Sequence, residues 1–258
     1  MGKIKLIEEH LLRKWLESSI ANGDGDNFAQ DGLLYRGDIF FEDDAWHRKS
    51  GGEERLWEAA DKKLLILTKD LNDTEAWNIR EETGRRNELT FDYSKTSPFY
   101  KNIRMWSYGL LNTDSDGNTP PFSEAKDMNV SGVFYEKAPI ARVNCKKQCG
   151  GGSISDKVLE EYIRRYASLL LQQISLYDAN IIMCCGCKGD VNLILNFVRN
   201  MYLKDLACVE GTGDWIYYSP STGKVVINTY HPSCRISFED NYTNMMAAYQ
   251  VFINSNKQ

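Results

Sequence analysis

The chain of 258 residues is 42 % apolar and 26 % charged, and its formal net charge at pH 7 is −5. Those proportions describe a globular protein with a real core and exclude a disordered chain. No apolar run approaches the ~20 residues that span a bilayer, and the opening MGKIKLIEEHLLRKWLESSI is charged throughout, so neither a signal peptide nor a membrane partner is expected, and a cytoplasmic location is.

The charge is unevenly spread. Residues 20 to 61 hold eleven acids against four bases, a local balance of −7, so the remainder is slightly positive. The segment 137 to 157 carries Lys137, Arg142, Lys146, Lys147 and Lys157 against Asp156 alone. A folded molecule of this kind can present one acidic and one basic face. Seven cysteines without framework spacing fit reduced thiols rather than disulfides.

Residues 1 to 60 read as an N-terminal elaboration packed on the main domain, and residues 61 to 258 as one domain. The first apolar run is LLILT (64 to 68), the second PIARV (139 to 143). SDKVLEEYIRRYASLLLQQISLY (155 to 177) repeats apolar positions at three and four, with Ser155 as its N-cap, and predicts one helix. NIIMCC (180 to 185) is the third run, followed by a helix over about 189 to 203. DWIYYSPSTGKVVINTY then predicts a hairpin that ends in the fourth run, KVVINTY (224 to 230), and SFEDNYTNMMAAYQVFI (237 to 253) the closing helix.

The four runs are near-continuous rather than alternating, as strands buried on both faces of a parallel sheet are. The expected fold is a three-layer α/β/α sandwich with a central, mainly parallel four-stranded sheet, and its functional residues belong at the carboxyl ends of the strands. Those ends read Thr68-Lys69-Asp70-Leu71-Asn72, Asn144-Cys145-Lys146-Lys147, Gly186-Cys187-Lys188-Gly189 and His231-Pro232-Ser233.

In that order the four ends resemble the uracil-DNA glycosylase superfamily over residues 60 to 254. LLILTKDLN resembles the family's first motif, with Asp70 at the motif's Asp and Asn72 at its tyrosine. VNCKK places Asn144 at the residue that reads the base, and Gly186 matches the glycine that ends the third strand. HPS at 231 to 233 matches the last motif, and SPFYKNIRMWSYGLL (97 to 111) is similar to the phosphate-touching loop and following helix. Thr68, Lys69, Leu71 and Asn72 depart from the first motif, and with them goes the side chain that in some members excludes thymine.

Breaking an N-glycosidic bond leaves positive charge on the sugar and negative charge on the departing base, so a site needs one group for each. By resemblance His231 donates a hydrogen bond to the base's carbonyl oxygen, and Asp70 faces the sugar and orients or activates water. Asn144 reads the edge of the base and Phe99 stacks on it. Ser233, Lys147 and Arg235 contact the DNA backbone, while Ile236 is apolar enough to enter the base stack. The implied partner is DNA containing a damaged base, uracil first among them, bound by a monomer without a cofactor. The alternative is a nucleic-acid or nucleotide-binding protein on the same fold with altered catalysis.

Neither metal pattern is complete. His231 and Cys234 with Cys145, Cys149, Cys184, Cys185 or Cys187 lack standard zinc spacing, and the family's cluster-holding Cys-x-x-Cys is missing, so no metal is expected. NTDSDGNTPPFS (112 to 123) begins like a calcium-binding loop but has Ser123 in place of the bidentate Glu.

Overall fold

The computed structural model describes residues 2 to 43, 45 to 83, 97 to 187 and 192 to 256. In chain order its strands are β1 (Gly32–Leu33), β2 (Ile39–Glu42), β3 (Ala45–Arg48), β4 (Leu64–Thr68), β5 (Ile140–Asn144), β6 (Ile181–Gly186), β7 (Ala207–Cys208), β8 (Ile216–Ser219) and β9 (Lys224–Tyr230). The helices are α1 (Lys3–Ala21), α2 (Glu53–Ala59), α3 (Pro98–Asn112), α4 (Phe122–Ala125), α5 (Met128–Tyr135), α6 (Asp156–Arg165), α7 (Ala167–Tyr177), α8 (Leu193–Phe197) and α9 (Phe238–Ser255).

Among the described residues the main sheet has seven strands in the order β1-β5-β4-β6-β9-β8-β7. The four apolar runs form its centre, β5-β4-β6-β9, and every neighbour there is parallel. The expected four-stranded sheet is therefore widened by antiparallel edges: β1 on β5 at one side, β8 and β7 beyond β9 at the other. Two-residue strands such as β1 and β7 have no periodicity to read, which is why the sequence pattern stops at the centre. Strands β2 and β3 pair separately as a hairpin.

Alternate residues of the central strands enter two apolar clusters. Leu65, Leu67, Val143, Ile182 and Val226 pack with side chains of α1, α6 and α7. Leu64, Ile66, Ile140, Met183 and Ile227 pack with α3, α5 and α9. Both faces of the centre are covered, so its strands are apolar at consecutive positions.

The N-terminal segment is built into this body. Beyond β1, the Ala29 N–H donates to the Lys147 carbonyl at 2.9 Å and the Leu34 N–H to the Ile140 carbonyl at 3.1 Å. Buried Glu8 of α1 accepts from the Leu33 N–H at 2.9 Å and pairs with buried Arg80 at 2.8 Å.

Two expected helices differ in detail. Ser155 does cap α6, accepting from the Val158 N–H, but the run breaks at Tyr166, whose φ of −108° and ψ of 19° separate α6 from α7. Tyr166 is buried, its ring tilted against Trp15 at 5.8 Å, and its hydroxyl donates to Asp24; tertiary contacts override a helical period there. The helix over 189 to 203 is a short α8 running into a π-helical turn, Val198–Tyr202, while Lys188 and Gly189 lie outside the described residues. Within 97 to 111 the helix begins at once, at Pro98 with Ser97 as N-cap, so Phe99 stands in a first helical turn rather than a loop. Among the described residues, no helix is long and apolar enough to cross a membrane.

Candidate functional site at the strand ends

The turn after β9 is a local consequence of its sequence. Pro232 holds the second position of a turn closed by the Cys234 N–H donating to the His231 carbonyl at 2.8 Å. Asn102 of α3 ties the turn down through its Nδ2, which donates to the Pro232 carbonyl at 2.6 Å. That geometry brings the Ser233 N–H onto His231 Nδ1, where it donates at 3.2 Å. A ring nitrogen that accepts carries no proton, so the neutral imidazole holds its hydrogen on Nε2. Among the described residues no protein group bonds Nε2.

Burial lowers the His231 pKa to about 4, and the positive charges of Lys69 and Arg142 push in the same direction. The ring is neutral at physiological pH. It lies 5.8 Å from the Phe99 ring, and the Arg142 guanidinium sits 4.6 Å from the same Phe99 ring. Arg142 is fully enclosed on β5 and ion-paired to buried Glu82, which also accepts from the Tyr135 hydroxyl at 2.8 Å.

Asn144 ends β5 directly beside Thr68, its partner in register on β4. The Thr68 hydroxyl donates to Asn144 Oδ1, and the Asn144 N–H donates to Asp31 Oδ2 at 2.7 Å. Asn144 Nδ2 has no partner among the described residues. Both side chains are wholly buried, so this amide does not face solvent.

Asp70 is half-buried just beyond β4. Burial raises its carboxyl above the usual range, opposed by the charges of Lys146 and Lys69. Asn72 is exposed, as are Ser233 and Arg235, and Ile236 is half-buried in the bend before α9.

Lys147 requires a correction. Expected on the DNA backbone, it is 0 % exposed, and its Nζ donates to both Asp31 oxygens at 2.6 Å and to Gln173 Oε1 at 2.8 Å. Trp15 covers it, with the ring centroid 4.6 Å from Nζ. An ammonium enclosed in this way holds the N-terminal segment to the sheet and cannot reach phosphate.

Gly186 ends β6 for a steric reason: a Cβ there would lie 2.1 Å from Asn192 Oδ1. Asn192 uses that oxygen to cap α8, accepting from the N–H groups of Ile194 and Leu195, while its Nδ2 donates to the Cys184 carbonyl and Asn228 Oδ1. Cys145, Cys184 and Cys185 are buried, and burial pushes each thiol up. Among the described residues no group of three or more His, Cys, Asp or Glu side chains is gathered to hold a metal. The loop after α3 uses the Asp114 carboxylate internally, accepting from Asp116 N, Asn118 N and Asn118 Nδ2.

Several residues next to the set escaped sequence reasoning. Arg142 could have been found from the two-residue period of β5, which puts it on the same face as Asn144. Asp31, inside the acidic stretch, carried no signal of its burial. A cavity of about 550 Å³ lies alongside, lined by Trp46, Asp73, Trp77, Glu82 and Tyr100 among others. It does not include Asp70, Asn144 or His231, and its acidic wall is unlike a phosphate groove.

No protein-family model and no curated protein matches this chain.

Proposed function

We propose that the strand ends form the site of a DNA-base glycosylase-like protein, which hydrolyses the N-glycosidic bond of a flipped damaged base, uracil first among them. The three-layer α/β/α frame outlined by the two cores gathers the polar residues at one edge of the sheet. The observation that carries the reading is His231: a neutral ring, its acceptor nitrogen occupied by Ser233, with an Nε2–H that bonds none of the described residues and flanking positive charge. Such a group donates to a carbonyl oxygen that gains negative charge, and Lys69 and Arg142 favour that charge further.

Asp70 supplies the complementary group. Strand β6 lies between β4 and β9, so two strand spacings separate the ends that lead into Asp70 and His231 by about 10 Å. That separation leaves room for one nucleoside between side chains that reach inward. The carboxylate then faces the sugar's developing cation and orients water. Phe99 flanks His231 as a stacking wall, and Asn144 Nδ2 is a donor awaiting an acceptor on the base. Seating a base against Asn144 requires its cover to part. Ser233, Arg235 and Ile236 remain the DNA-facing residues of this reading; Lys147 leaves it.

A second reading, nucleic-acid binding without hydrolysis, draws support from that enclosed Asn144. The two separate on one assay, in which a uracil-containing oligonucleotide is incubated with the protein and both free uracil and bound DNA are measured. Release that disappears in Asp70→Ala supports the first reading; retention of DNA with no release supports the second.

A further inference from the structure

Lys146 stands in the turn after β5 and plays no part in the glycosidic chemistry above. It is 6 % exposed, its Nζ donates to the Gln148 carbonyl and it lies 5.2 Å from the Tyr162 ring centroid. The ammonium and the Asp70 carboxyl meet at a bare backbone: a Cβ on Gly150 would lie 3.2 Å from Lys146 Nζ and 3.9 Å from Asp70 Oδ2. Gly151 and Gly152 follow, and a Cβ on either would touch nothing within 4 Å. At these three positions the backbone carries no side chain beside the amine and the carboxyl.

Among the described residues, two other lysines of this edge face carboxylates. Lys69 Nζ pairs with Asp156 at 3.0 Å, and Lys147 Nζ is held by Asp31 and Gln173.

We propose that Lys146 is the amine nucleophile of a second activity at the same edge, cleavage of DNA at abasic sites. The choice of DNA as substrate rests on the glycosylase reading. The ε-amine adds to the C1′ aldehyde carbon of the ring-opened deoxyribose. The carbonyl oxygen departs as water with one amine proton and the proton of the Asp70 carboxyl, leaving a protonated C=N bond to Lys146. Asp70 serves as proton donor to the departing oxygen and then, as carboxylate, takes a proton from C2′. The freed electron pair forms the C2′–C3′ double bond, and the C3′–O bond breaks with its electrons leaving on the 3′ phosphate. Water hydrolyses the imine, restoring the amine and releasing an unsaturated aldehyde; no oxidant or reductant is consumed.

The electrostatics suit this pairing. Burial lowers the Lys146 ammonium pKa, opposed by Asp70, and burial raises the Asp70 carboxyl, opposed by Lys146. In both groups burial outweighs the mutual attraction, so each pKa moves towards the other's.

The experiment supplies an oligonucleotide with a preformed abasic site and adds borohydride to reduce any imine to a stable link. The expected result is a covalent protein–DNA species whose crosslinked peptide contains Lys146, and strand cleavage when borohydride is left out. Lys146→Met and Lys146→Arg should both lose the adduct to background, while Lys157→Met, at an exposed lysine of α6, keeps it. Arginine preserves the charge and the bond to the Gln148 carbonyl, so its loss of adduct under an unchanged melting temperature separates chemistry from folding. No adduct with the wild-type chain, or an adduct that survives in both Lys146 variants, overturns the proposal. Because the abasic site is made beforehand, base release without trapping overturns the lyase alone, and trapping without base release overturns the glycosylase alone.

Discussion

The Ser233 backbone N–H donates to His231 Nδ1 at 3.2 Å, and this one bond fixes which ring nitrogen carries the proton. The His231 ring should therefore show the Nε2–H tautomer in nitrogen-15 NMR throughout pH 5 to 8, with a midpoint near about 4. The ordinary value is 6.5, so between the two values the unfolded chain binds more protons than the folded one. Stability from this group is complete above about 6.5 and falls as pH drops through about 4. A ring that titrates near 6.5, or carries its proton on Nδ1, contradicts the assignment.

Lys69 helps to hold that midpoint down. Lys69→Gln removes a positive charge facing His231, so the His231 midpoint should move upward towards its ordinary value. The lost ion pair with Asp156, which is 64 % exposed, should change stability by no more than about 0.5 kcal/mol. The NMR titration of the variant checks the first effect and chemical denaturation the second. An unmoved or lowered midpoint would count against the charge argument.

The enclosed Lys147–Asp31 pair makes a different statement. Asp31→Ala leaves a buried ammonium with only Gln173 and should cost about 3 to 5 kcal/mol in urea unfolding. Asp31→Leu combined with Lys147→Met should cost less than either single change, because no orphaned charge remains. Any DNA affinity of Lys147→Met should keep its salt dependence. A phosphate-binding lysine would instead reduce the log–log salt slope by about 1.

Gly186→Ala tests the packing of the third strand end. The added Cβ would lie 2.1 Å from Asn192 Oδ1, so the cap of α8 must shift, and thermal unfolding should show a loss of about 1 to 3 kcal/mol. Unchanged stability would mean that Asn192 caps α8 from elsewhere.

Much of the centre was legible in the sequence because burial on both faces writes itself as uninterrupted apolar residues, as in LLILT and NIIMCC. The cap at Ser155 was legible as local chemistry: its side chain accepts an N–H from the first turn of its own helix. What escaped is non-local. Lys147 looks like any surface lysine until Asp31, 116 residues away, is brought beneath it. Tyr166 sits in an unbroken helical period, and only its contacts with Trp15 and Asp24 explain why the helix stops there. At the site, His231 was findable from its own turn and Arg142 from the period of β5, whereas the pairing of Arg142 with Glu82, 60 residues away, needed the fold.

The central claim is that this edge of the sheet breaks an N-glycosidic bond with His231 as donor to the leaving base. The most direct measurement is the single-turnover release of uracil from a uracil-containing oligonucleotide at neutral pH, by the wild-type chain and by His231→Ala. The expected result is release by the wild type and a rate lower by about 100-fold or more in the variant, the effect of removing one donor to a developing oxyanion. Equal rates in the two proteins, or no release by a wild-type chain that still binds the oligonucleotide, would contradict it.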